Sequence, residues 1–206
     1  MTTPQRMIKF LHHPRTGGTY IKDVAAKNGV RFYGRHYLDI NFGDGCYYMT
    51  TLRRPVDRVV SYLRLFWHMA PRRFDWYDEA VGAAHCGRFV ESGWRDIGWV
   101  KKTNSMEVNN AICCRLAGHD RFGASTYDAA VEHLNLFDRV CFFEDYAGVL
   151  DALGGLSGKQ ISISGDETKN SSIDIGYTFG DDDISWIIEN NQADSNLYNY
   201  AYSKYL

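Results

Sequence analysis

The 206-residue sequence lacks a cysteine framework: its five cysteines are odd in number, form no C-x-x-C pair and include the neighbours Cys113 and Cys114. That excludes a disulfide scaffold and leaves no zinc-ligand spacing; the thiols read as reduced and mostly buried. No apolar run approaches the roughly 18 residues of a membrane span. The first residues lack the basic, apolar and small-residue order of a secretion signal, so a cytoplasmic location is expected. Charge of one sign is lacking too. A net charge of −2, from 23 basic and 25 acidic side chains, gives no global attraction to nucleic acid or anionic membrane, so any anion site must be local. The triphosphatase fingerprint G-x-x-x-x-G-K-[ST] is absent, since Gly154-Gly155-Leu156-Ser157-Gly158-Lys159-Gln160 has the wrong spacing and no hydroxyl residue after its lysine. There is also no evident magnesium-binding aspartate at a strand end, which counts against nucleoside triphosphate hydrolysis. His12, His68, His85, His119 and His133 have no paired spacing with acidic or sulfur partners, so no metal site is expected. No repeat, low-complexity tract or linker divides the chain. One domain over residues 1–206, large enough to bury a core, is the expectation.

What the chain does have is aromatic side chains, 15% of residues, most of them read as core and rim packing. It also has a succession of short apolar runs broken by glycine. Met7 to His12 reads as a buried strand running into a loop, Thr19 to Asn28 as a helix with Gly29 at its C-cap, and Val30 to Tyr33 and Cys46 to Leu52 as two further strands. Pro55 stands in the first turn of a helix reaching about Met69, where proline is best tolerated. Helical patterns return at Ser105 to Leu116 and Ser125 to Leu134. A strand follows at Arg139 to Glu144, then a helix from Tyr146 to Leu153, a polar stretch from Gly154 to Asn170, and a helical pair signalled by Asp181-Asp182-Asp183 and by Asp194. The order predicts an α/β fold with a parallel sheet flanked by helices. Residues 70 to 102 have weak periodicity and read as an irregular insertion or lid. Their Arg72, Arg73, Arg88, Arg95, Lys101 and Lys102, with Trp67, Trp76, Trp94 and Trp99, suit either an acidic or sugar acceptor or a solvated face over tucked rings.

The chemistry concentrates in His13-Pro14-Arg15-Thr16-Gly17-Gly18-Thr19-Tyr20. A glycine-rich turn from strand to helix gathers backbone N–H groups around one point, and the helix N-terminus adds partial positive charge. Gly17 and Gly18 would let backbone approach an anion closely, Thr16 and Thr19 would offer hydroxyls, and Arg15 a charged fork. Pro14-Arg15-Thr16-Gly17-Gly18-Thr19 resembles the P-K-T-G-G-T loop of carbohydrate sulfotransferases that use 3′-phosphoadenosine 5′-phosphosulfate. Leu52-Arg53-Arg54-Pro55-Val56-Asp57-Arg58-Val59-Val60-Ser61-Tyr62 resembles the same family's R-D-P-x-x-R-x-x-S-x-Y segment. Phe32-Tyr33-Gly34-Arg35-His36-Tyr37-Leu38-Asp39 is similar to the histidine-bearing segment of its uronosyl 2-O branch. Val140 to Tyr146 and Leu197-Tyr198-Asn199-Tyr200-Ala201 resemble its last strand and closing helix.

The resemblance implies a P-loop-type sheet and a sulfotransferase acting in line on an acceptor hydroxyl, carried by a carbohydrate in the family-weighted expectation, with no metal. Pro14 to Tyr20 would hold the 5′-phosphosulfate, Arg53 and Ser61 the 3′-phosphate, and His36 would take the acceptor proton; Asn170 and Ser171, in the polar Lys169-Asn170-Ser171-Ser172 segment, would close over the nucleotide. Two departures stand out: Arg15 replaces the family's lysine and Arg54 its aspartate. Arginine presents a planar fork where lysine presents a point charge, so the first exchange is not conservative. A kinase of related architecture, and a noncatalytic module that binds anionic ligands through the same loops, remain alternatives.

Overall fold

A computed structural model describes residues 6–36, 41–69, 98, 100, 106–163 and 178–206. The insertion expected at about 70–102, the Tyr37 to Asp39 part of the histidine segment, and Asn170 with Ser171 fall wholly or almost wholly outside the described residues. Four strands, β1 Ile8–His12, β2 Phe32–Arg35, β3 Tyr47–Leu52 and β4 Arg139–Phe142, form one parallel sheet in the order β2-β1-β3-β4. Seven α-helices accompany them among the described residues: α1 Gly18–Lys27, α2 Pro55–Met69, α3 Ala111–Ala117, α4 Thr126–Leu134, α5 Tyr146–Ser157, α6 Asp181–Asn190 and α7 Gln192–Tyr205.

β1, β3 and β4 are mostly buried on both faces, as a covered parallel sheet requires, whereas the edge strand β2 exposes Tyr33 and Arg35. Successive residues point to opposite sides. Ile8, Phe10, Met49 and Cys141 pack with Ile21 and Val24 of α1 and Val149 and Leu153 of α5. Leu11, Tyr48, Leu52, Val140 and Phe142 pack with Ile112 and Leu116 of α3, Leu134 of α4 and Leu197 of α7. A third cluster holds Val59 and Leu63 of α2 against Val108 and Ile187.

Element boundaries move where tertiary contacts act. The helix expected to end at Leu153 runs on through Gly154 and Gly155 to Ser157, because Leu156 also faces the core, and it stops at Gly158, which has φ 65°. Lys159 N–H then returns to the Gly154 carbonyl at 3.2 Å, and a β-carbon on Gly154 would stand 3.0 Å from the Lys159 oxygen. The helix expected from Ser105 is split into a 3-10 turn, Met106–Val108, and α3, with Asn110 between them at φ 51°. Asp194 lies inside α7 and not before it: its carboxylate accepts the Ile112 and Cys113 amides at 3.0 and 2.8 Å, so it caps α3 from another helix.

β1 continues by way of α1 into β2 on one side, while β3 lies on the other side of β1. The strand order reverses between β1 and β3, and in open parallel sheets that reversal opens a crevice at the carboxyl ends of the strands.

Candidate functional site

At the carboxyl ends of β1, β3 and β4 lies a cleft of about 240 Å³ lined by His12, Arg15, Gly17, Gly18, Thr19, Arg53, Asp57, Val60, Ser61, Arg64, Leu65 and Phe143. Its floor is the turn from β1 to α1. Arg15 has φ 69° and Gly17 φ 80°, both left-handed; for arginine that conformation costs about 1 kcal/mol. The strained turn is braced from the far side of the cleft. Arg53 donates from Nη1 to the Arg15 carbonyl at 3.0 Å, and Arg15 Nε donates to Ser61 Oγ at 2.9 Å. The Arg53 guanidinium also lies 4.5 Å from the centre of the Phe143 ring. Burial lowers the pKa of both arginines, and Arg53 lowers that of Arg15 further while Asp57 and Glu144 pull Arg53 back up. Two guanidinium groups crowded at a half-buried opening favour an anion between or beside them.

Amide donors are also present. No side chain caps α1, and Ile21 is its first residue whose N–H bonds back, to the Gly17 carbonyl at 3.1 Å. The amides of Gly18, Thr19 and Tyr20 are the unsatisfied donors of a helix start, the arrangement that binds anions elsewhere.

Of the residues singled out in the sequence, Arg15, Gly17, Gly18, Thr19, Arg53 and Ser61 come together in this cleft. Pro14, Thr16 and Tyr20 are not among its lining residues. Thr16 is fully buried and turned inward: its N–H and Oγ1 both donate to the His13 carbonyl, at 3.2 and 2.8 Å, and Thr51 Oγ1 donates to its hydroxyl at 3.1 Å. The expectation that Thr16 offers its hydroxyl to a ligand is corrected accordingly, since that proton is already committed within the loop. The Tyr20 ring packs on Tyr146 at 5.0 Å. Gly18 serves packing as well as ligand approach, because a β-carbon there would stand 2.2 Å from His12 Nδ1.

Three histidines lie behind and beside the loop. His13 is wholly buried; Thr50 Oγ1 gives its proton to the Leu11 carbonyl at 2.9 Å, so the 3.3 Å contact with His13 Nε2 requires the proton on that nitrogen. Burial holds His13 well below the usual imidazole value, and burial with the neighbouring His36 lowers His12 to about 3, so both are neutral at pH 7. His36 Nδ1 lies 2.8 Å from the His12 carbonyl and must donate to it, which leaves Nε2 with the free lone pair. Its pKa is lowered, mainly by burial, against the raising effect of that bond. His36 does not line the cleft; its ring packs on that of His12, 3.9 Å between centres, and His12 does.

Arg64, Asp57 and Phe143 complete the site without having been singled out. The available signal was the helical spacing: Asp57, Ser61 and Arg64 stand four and three residues apart and share one face of α2.

Comparison with protein-family models and with curated proteins finds no match. The functional reading therefore rests on the residues of the cleft themselves.

Proposed function

We propose that this protein is a sulfotransferase that moves a sulfuryl group from 3′-phosphoadenosine 5′-phosphosulfate to an acceptor hydroxyl, with a carbohydrate as the acceptor class. The observation that carries the reading is the joining of Arg15, Arg53 and Ser61. Two sequence segments that resemble donor-binding motifs of that family, with α1, β2 and β3 between them, meet in one cleft through bonds of 2.9 and 3.0 Å. Unsatisfied helix amides, a half-buried pair of guanidinium groups and an uncapped helix start suit the negatively charged ends of such a donor.

The donor, when bound, supplies the sulfuryl group and leaves as adenosine 3′,5′-bisphosphate. The loop amides and Arg15 would hold its 5′ end, and Arg53 with Ser61 its 3′-phosphate. As the acceptor oxygen bonds to sulfur, the sulfur–oxygen bond to the 5′-phosphate breaks and its electron pair stays on the phosphate, where Arg15 offsets the growing charge. His36 takes the acceptor proton on Nε2, the nitrogen that its bond to the His12 carbonyl leaves basic. The remaining contribution is positioning.

A thermal shift with adenosine 3′,5′-bisphosphate, compared with ATP plus magnesium, tests the donor. The bisphosphate is expected to stabilise the wild type, and Arg53→Ala to remove most of that shift, because a ligand that binds only the folded state raises stability by RT ln(1 + [L]/Kd), which shrinks as Kd rises. Stabilisation by ATP alone would replace this reading with a kinase. In transfer of labelled sulfate, His36→Ala is expected to lower turnover by about 10²- to 10⁴-fold with bisphosphate affinity unchanged; unaltered turnover would remove His36 as the base.

A further inference from the structure

α2 contributes more to the cleft than Ser61. Asp57, one turn before it, and Arg64, one turn after it, line the same opening. Neither takes part in a hydrogen bond or ion pair with the described residues, whereas Arg15 and Arg53 are each tied to the loop or to α2. Among the described residues Arg64 is thus a guanidinium with no bonded partner, on a helix face where side chains three apart have β-carbons about 5–6 Å from each other. A group bonded to Ser61 Oγ lies within reach of it.

The charges give Arg64 its role. On the α2 side of the cleft the charged groups are Arg53, Asp57 and Arg64. Arg53 and Asp57 offset one another, and Asp57 counteracts part of the lowering that burial imposes on the Arg53 pKa. Arg15, whose Nε donates to Ser61 Oγ, brings one uncompensated positive charge to that side, and Arg64 brings a second to meet a phosphate monoester, which carries about −1.5 to −2 at pH 7.

Resting on the donor reading above, we propose that Arg64 binds the 3′-phosphate of the nucleotide together with Arg53 and Ser61, and that Asp57 opposes it. The pair Asp57 and Arg64 then sets how strongly the site prefers a nucleotide bearing a 3′-phosphate over one without it. Arg64 is a binding residue and carries no proton or bond change in the transfer.

The test is calorimetric titration of the full chain with two nucleotides, adenosine 3′,5′-bisphosphate and adenosine 5′-phosphosulfate, which lacks the 3′-phosphate. Wild type is expected to prefer the bisphosphate. Arg64→Gln should weaken the bisphosphate by about 10- to 100-fold, the usual worth of one charge-assisted contact to phosphate, and the 5′-phosphosulfate by less than about twofold. Arg64→Lys should recover part of the loss and carries the test if the glutamine variant misfolds, which circular dichroism reads; Asp57→Asn should tighten the bisphosphate severalfold. Equal losses for both nucleotides, or a preference kept within about twofold, would overturn the role of Arg64 while leaving the donor reading in place. Failure of the wild type to bind the bisphosphate would overturn the donor reading, and the role of Arg64 with it, and shows itself before any substitution is made.

Discussion

The two faces of α2 carry the same residue type to opposite ends. On the outer face Ser61 and Arg64 lie in the cleft with Asp57, beside Arg53 from the end of β3. On the inner side Arg58 is 0% exposed and reaches the 3-10 turn. Its Nη2 donates to the Glu107 carbonyl at 2.9 Å, while Nε and Nη1 have no hydrogen-bond partner among the described residues. Around it Arg115 pairs with Glu107, Asn191 and Asn110 bond to each other's helices, and Asp194 caps α3 while its charge supports Arg58. Inside, the carboxylates and backbone carbonyls are supplied by the chain. Outside, the positive charges exceed the single carboxylate. An interior cluster that balances itself is a structural device; a cleft that does not is open to an anion.

The largest effect expected from that contrast is on the inner face. Asp194→Ala should lower unfolding free energy by about 3–5 kcal/mol, the cost of removing one member of a buried charged cluster, with nucleotide affinity of the folded fraction unchanged; urea unfolding with calorimetric titration reads both. Comparable loss of affinity would show that the two faces are coupled. The smaller effect is on the outer face. Ser61→Ala should leave stability nearly unchanged and weaken the bisphosphate by about 10- to 100-fold, since one hydrogen bond to a charged phosphate contributes about 1.5–3 kcal/mol. A large stability loss there would make the Arg15–Ser61 bond a structural strut and blur the contrast.

Much of the fold was legible because it depends on local pattern. The run Met7 to His12, the turn glycines and Pro55 at a helix start placed β1, α1 and α2 within a residue or two of where they lie. Pattern failed where a distant residue decides the outcome. Asp194 reads as a local helix start, yet its carboxylate is bonded to amides some eighty positions earlier. Gly154 and Gly155 read as a break, yet buried Leu153 and Leu156 carry the helix through them. In the site, the loop and the arginine-serine pair were visible as two motifs and, through the resemblance, as two ends of one donor site; the bonds that join them, Arg53 to the Arg15 carbonyl and Arg15 to Ser61, were not. Thr16 looked like a ligand hydroxyl until Thr51 and the His13 carbonyl, both inside the fold, claimed it.

Within Arg53-Arg54-Pro55-Val56-Asp57-Arg58 the sequence alone establishes that a helix begins and that charge gathers around its first turn, because proline, helical spacing and residue type are local properties. It also separates the residues into faces, since 100° per residue puts Asp57, Ser61 and Arg64 together and Val59 and Leu63 elsewhere. Which face meets the core is a tertiary matter. The reversal of strand order between β1 and β3 opens the cleft beside one face, and the packing of Val108 and Ile187 closes the other. One arginine of α2 is thereby buried and another lines the cleft, a difference made by which surface excludes water and not by anything in the residues themselves.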